Sequence, residues 1–191
     1  MPKAELNLTD EQLKTISIFF PHAMKRTFAA IEANLQFVHY CDASAAVSMI
    51  QNKEVWMRNA TWMNDTSEIT YGTDRLFEAA KGPDGVRLRD FLEKVFPGFV
   101  AEFDELFCSW LDIFQEETYI TCLTELLEDE QQIGRLSMWR AYGKSTAVAI
   151  VINGGPLLRP SDALNAYTSP VAYLSTSKFN SEFRHLVDSI L

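Results

Sequence analysis

Basic residues are scarce in this chain. Lys and Arg number 17 against 26 Asp and Glu in 191 residues, for a formal net charge of −9 and a pI of about 4.8. Attraction to nucleic-acid phosphates needs clustered Lys and Arg, and no basic run is present. Nucleic acid is therefore left only as a substrate to be modified. Cysteine is sparse as well. Cys41, Cys108 and Cys122 make an odd count with no C-x-x-C pair, the pattern of reduced, buried thiols in a cytoplasmic protein. His22, His39 and His185 are not at ligand spacing, so no metal is expected. No stretch approaches the roughly 18 to 20 apolar residues that cross a bilayer. Met1 to Asp10 carries no basic-then-apolar signal pattern. Both absences point to the cytoplasm and away from membranes.

Several catalytic signatures are also missing. Neither a Walker lysine loop, a G-x-G-x-x-G turn nor a G-x-S-x-G elbow occurs. His185 and Asp188 share a helical face without a serine partner, which disfavours a hydrolase triad.

What is present is an ordinary globular composition, 47% hydrophobic and 23% charged. The length suits one domain, or one domain with a helical extension. Thr9-Asp10-Glu11-Gln12 opens a helix as a capping box, and Pro21 interrupts or kinks it before it continues to about Ala33. Leu35 to Tyr40 reads as a strand, followed by a short helix over Ala45 to Gln51. Lys53 to Arg58 is extended, and Asn64 to Ser67 a loop. Helices are expected over Ser67 to Ala80, Val86 to Val95 and Phe99 to Phe114. The breaks fall at Gly82-Pro83-Asp84-Gly85 and Pro97-Gly98. Strands are expected over Tyr119 to Thr124, Ala147 to Ile152 and Pro170 to Leu174. Leu136 to Tyr142 is a short helix or turn, Asn153-Gly154-Gly155-Pro156 closes a strand, and a terminal helix begins near Asn180. No repeat or linker appears. The expected fold is α+β: a helical N-terminal arm over residues 1–34, then a domain over 35–191 with a small mixed sheet and flanking helices.

Three polar-aromatic clusters interrupt apolar segments: Val38 to Asp42, Trp62 to Glu68, and Thr121 to Gly143. Buried polar groups are costly unless paired, so their repeated use suggests a site. His39 and Tyr40 can orient a ribose or stack on a flat ring, or can be a satisfied histidine beside a core tyrosine. Asn64, Asp65 and Glu68 can bind a sugar, a base edge or a metal. Equally, Asp65 can cap a helix while Glu68 complements its positive end. Glu125 ends a strand, where a carboxylate can stabilise a developing cation. Trp139 and Tyr142 supply aromatic planes and Arg140 a phosphate-binding cation; they can also be helix-to-core packing with an acid-paired arginine.

The order of these motifs resembles the bacterial domain-of-unknown-function family 2971. Its pattern stands here as His39-Tyr40, Asn64-Asp65 with Glu68, Cys122-Leu123-Thr124-Glu125, Trp139-Arg140-Ala141-Tyr142 and the strand Ala147 to Ile152. The match spans roughly Leu35 to Leu174. Leu123 and Thr124 replace the usual Phe and Ser, and Asn153 replaces an aromatic-acidic ending. More remotely, the layout is similar to the His–Tyr–Glu site plan of ADP-ribosyltransferases. That likeness implies an ADP-ribosyltransferase-like fold and an enzyme that consumes NAD as substrate. His39 would hold the ribose, and Glu125, with Glu68 in competition, would assist nicotinamide departure. Tyr40, Trp56 or Tyr142 would stack, with Asn64, Trp139 and Arg140 completing the NAD site. The alternative is a non-enzymatic binding or regulatory module. The helical stretch Thr9 to Ala33 and the terminal helix would then dock a protein partner or a second copy. Either reading suits a phage-defence or toxin system.

Overall fold

The computed structural model describes residues 9–62, 67–143, 146–159 and 166–191, with only the backbone described at 67–69, 112 and 115. In chain order the elements are α1 (Asp10–Phe19), α2 (Pro21–Glu32), β1 (Gln36–Asp42), α3 (Ala43–Asn52), β2 (Arg58–Asn59), α4 (Ser67–Lys81) and α5 (Pro83–Val95). There follow α6 (Phe99–Glu116), β3 (Tyr119–Ile120), β4 (Thr124–Glu125), α7 (Leu136–Tyr142), β5 (Ala147–Asn153), α8 (Gly154–Leu158) and α9 (Thr176–Ile190). They form two compact units. The first is Met1–Trp56 with Thr121–Pro170, and the second is Met57–Ile120 with Val171–Leu191.

In the first unit the capping box forms as expected. Thr9 Oγ1 accepts from the Gln12 amide at 3.2 Å, and Gln12 Oε1 accepts from the Thr9 amide at 2.9 Å. Pro21, which lacks an N–H, ends α1 and opens α2, with Phe20 between them. The boundary expected at residues 34 and 35 lies inside this unit, because α2 packs on α8 and the Leu35 carbonyl accepts from the Gly154 amide at 2.8 Å. Asp42 ends β1 and caps α3, its Oδ1 accepting from the Ala45 amide at 3.0 Å.

The sheet runs β4-β1-β5 and is antiparallel throughout, not mixed. Phe37 lies opposite Glu125 and Ile152, and His39 opposite Ile150. Side chains alternate along a strand, so Phe37, His39, Cys41 and Glu125 share one face while Val38 and Tyr40 take the other. Val38 and Tyr40 are buried core residues, with Ala46 and Met49 of α3.

The second unit is mainly helical. α5 packs against α4, α6 and α9, and β2 pairs with β3 over two residues each. Val187 of α9 is fully buried. Asp84 of α5 receives Arg184 of α9 at 3.1 Å and Arg87 at 3.0 Å, and Arg87 also reaches Asp188 at 3.1 Å. Arg89 grips Asp104 of α6 with two bonds of 2.8 Å. Hydrogen bonding from these guanidinium groups holds both carboxyls below their ordinary range.

Some expected elements differ. Tyr119 to Thr124 is not one strand. Tyr119 and Ile120 pair with β2, while Thr124 begins a segment pairing with β1. Pro170 to Leu174 forms no strand, because Pro170 lacks a ladder donor and Val171 and Tyr173 lie exposed without a neighbouring strand. The strand closes at Asn153 as expected, and the short helix α8 follows it directly. The terminal helix starts four residues early, at Thr176, where Ser175 Oγ caps the Lys178 amide. The thiols are not all buried. Cys108 faces solvent on α6, Cys122 is exposed between β3 and β4, and Cys41 is half-buried.

Candidate functional site

His39 and Glu125 are brought to one face of the sheet. His39 Nδ1 lies 3.2 Å from the carbonyl oxygen of Cys122, a contact that requires Nδ1 to carry the proton. Nε2 is then the nitrogen free to accept from a ligand. Glu125 is held by Arg26 of α2, whose Nε donates to Oε1 at 3.1 Å while Nη2 donates to Oε2. A guanidinium so placed already compensates the carboxylate, which opposes its use to stabilise a developing cation. Cys41 shares this face. Burial, and then the neighbouring Asp42 charge, push its thiol up, so it stays protonated and weakly nucleophilic.

Tyr40 and Trp139 meet away from that face. The Tyr40 ring is only 6% exposed and packs edge-on against Trp139, centroids 4.8 Å apart and planes at 89°. Tyr40 Oη accepts from the Arg135 amide at 2.9 Å, and Trp139 Nε1 donates to the Ile133 carbonyl at 2.7 Å. Arg135 closes the cluster with bonds of 2.6 and 3.1 Å to Glu130, whose carboxyl this hydrogen bonding holds below its usual range. Gly134 makes the turn at φ 68°. Tyr40 Oη, Trp139 Nε1 and the Arg135 side chain each find a partner within the cluster. Both rings help lock the loop before α7 onto β1, and the buried Tyr40 ring offers no open face for stacking.

The remaining expected residues are spread more widely. Tyr142 and Arg140 are exposed on α7. Trp56 is half exposed and its Nε1 donates to Glu54 at 3.1 Å. Asn64 lies outside the described residues, and Glu68 falls in α4 with its side chain likewise undescribed. Among the described residues no group of three or more His, Cys, Asp or Glu is placed to hold a metal ion. A groove of about 520 Å³ lies along α1 and α2, lined by Pro21, Met24, Phe28 and Ala29 among others.

Among the described residues, α6 presents an exposed apolar row. Phe99, Phe103, Leu106, Trp110 and Ile113 alternate spacings of four and three, the repeat of a helix seam, and Phe114 lies beside them. All are exposed: Phe103 50%, Trp110 46% and Phe114 51%. Phe99 stacks on Phe103 and Phe103 on Phe107, with centroids 6.0 and 5.9 Å apart. Val100, Phe107 and Leu111, on the next stripe around the helix, are half-buried. Phe107 there meets Phe77 of α4 edge-on at 5.8 Å. So α6 already spends one apolar stripe on its own unit and presents a second. The signal was in the sequence as the aromatic spacing of Phe99 to Phe114, which identifies a helix without saying which stripe is covered.

Comparison of the chain with protein-family models, with curated proteins and with solved structures returns no match, so neither the resemblance to family 2971 nor the fold analogy with ADP-ribosyltransferases gains support from them.

Proposed function

We propose that this protein is a non-enzymatic binding module that docks a partner protein on the outer stripe of α6. The observation that carries the reading is the exposed seam Phe99, Phe103, Leu106, Trp110 and Ile113. Large apolar side chains scattered singly on a surface need no explanation, but a contiguous row at seam spacing does. Aromatic anchors are also the residue types that supply most of the binding energy in protein interfaces. The test places a photo-reactive amino acid at Ser109, beside the seam, in living cells. A discrete protein adduct is expected, identified by mass spectrometry and lost when Phe103→Asp is added. No adduct, or one indifferent to Phe103→Asp, overturns the reading.

A second reading, transfer of ADP-ribose from NAD, draws support from His39 and Glu125 sharing one face of the sheet. The Arg26 grip on Glu125 and the enclosed Tyr40 weigh against it. Mass spectrometry of NAD incubated with the purified protein and cell extract decides it. Loss of NAD with an adduct supports transfer, and intact NAD removes the reading.

A further inference from the structure

Beyond its apolar seam, α6 has a charge asymmetry that specifies what can lie on it. The helix contains no Lys or Arg. Asp104 is engaged by Arg89 on the side facing its own unit. Glu102, Glu105, Ser109 and Glu116 are separated by three, four and seven residues, so they form a second stripe parallel to the seam, on the edge away from Asp104. Glu102, Glu105 and Glu116 are exposed and form no ion pair among the described residues. The seam is thus bordered by its own folded unit on one edge and by an unneutralised acidic row on the other.

Resting on the docking reading above, we infer that the partner presents a basic amphipathic helix. Its apolar residues lie in the α6 seam, and its Lys or Arg side chains lie along Glu102, Glu105 and Glu116. The seam from Phe99 to Ile113 spans about 21 Å at 1.5 Å per residue, which a partner helix of about four turns covers. Cations along one edge of that helix would meet the acidic row, as flanking charges do in paired helices, where they set partner choice. A second copy of this chain is disfavoured by the same geometry. Antiparallel copies of α6 would bring acidic rows together with no cation on either helix, and like charges so placed repel, while parallel copies would set each acidic row against the partner's folded unit.

The test uses the full chain and three labelled helical peptides of 18 residues, the length of α6. All carry leucine at seam spacing, and their flanking positions hold Lys, Gln or Glu. Fluorescence anisotropy at low salt is expected to rank Lys tightest. The margin over Gln should be on the order of tenfold, as expected for a few exposed charge pairs together. Added salt narrows that margin. Phe103→Asp abolishes binding of all three, and the double variant Glu102→Lys, Glu105→Lys moves the preference to the Glu peptide. These positions are exposed, so folding is preserved, and circular dichroism checks it. Equal binding of the three peptides overturns the basic-helix inference while leaving docking intact. No binding by any of them overturns both. Self-association that Phe103→Asp abolishes assigns the seam to a second copy and overturns the inference as well.

Discussion

The Arg26 guanidinium meets the Glu125 carboxylate side-on, joining α2 to the β4 edge of the sheet through two hydrogen bonds. The pair is partly solvent-exposed, so its net worth is small. Glu125→Gln is expected to lower the unfolding free energy by less than about 1 kcal/mol, measured by denaturant titration. The protein adduct formed through α6 should be unchanged. If NAD is consumed and Glu125→Gln slows its loss by on the order of a hundredfold, the carboxylate acts on a transition state despite Arg26.

Tyr40 contributes both a ring and an acceptor. Tyr40→Phe keeps the edge-on contact with Trp139 and strands the Arg135 amide, at a cost of about 1 kcal/mol. Tyr40→Ala also opens a cavity and is expected to cost about 3 to 5 kcal/mol. A similar loss for the two variants in thermal unfolding would mean that the ring packs little.

Two glycines at positive φ separate strain from crowding. At Gly98, φ 87°, an added Cβ meets nothing within 4 Å, so Gly98→Ala carries only backbone strain, about 1 kcal/mol. At Gly134, φ 68°, the Cβ would sit 2.8 Å from Trp139 Nε1 and 2.9 Å from Tyr40 Oη. Gly134→Ala is therefore expected to be clearly the more destabilising of the two in parallel melts. Equal melting temperatures would contradict the clamp around Tyr40.

Acid should weaken the helical unit through Asp84. Hydrogen bonds from Arg184 and Arg87 hold its carboxyl below the ordinary value, so the folded state binds that proton less readily than the unfolded state. The stabilisation is complete above the ordinary carboxylate pKa of about 4 and is lost as pH falls through the lowered value. Asp104, held by Arg89, has the same sign. Melting temperature should fall below about pH 4, and less steeply in Asp84→Asn. Identical acid limbs for wild type and Asp84→Asn would remove Asp84 from the account.

On the docking reading, the α6 seam is expected to contribute to association more than to folding. Phe103→Asp is expected to raise solubility and to cost about 1 to 2 kcal/mol, since Phe103 is half exposed yet stacks on Phe99 and Phe107. A large drop in melting temperature would show that the side chain is core.

Helix starts and stops were legible because their causes are local. Thr9 with Gln12 and Pro21 act within four residues and appear in the structure as read, and Asp42 caps Ala45 over the same short range. Strands were legible only where the chain was long and apolar enough for several partners, as in β1 and β5. Tyr119 to Thr124 and Pro170 to Leu174 have strand-like composition, yet composition carries no information about which edge will be beside them. The same holds for the site. His39 and Tyr40 are adjacent in sequence and must alternate faces, but their partners, Cys122 in a loop on one side and Trp139 of α7 on the other, lie about 80 to 100 residues away.

By itself the sequence determined the acidic balance, the lack of a long apolar span, the helix caps and the 3–4 aromatic repeat of α6, since each depends on residue type and near spacing. Only the tertiary structure decided that Arg26 occupies Glu125 and that Tyr40 is closed in by Trp139 and Arg135. It also decided that the Phe107 stripe of α6 is the more buried and the Phe103 stripe the more exposed. The reason is physical. A side chain's role depends on what fills the space around it, and that space is filled by residues distant in the chain, through contacts too weak singly to be specified before the whole unit packs.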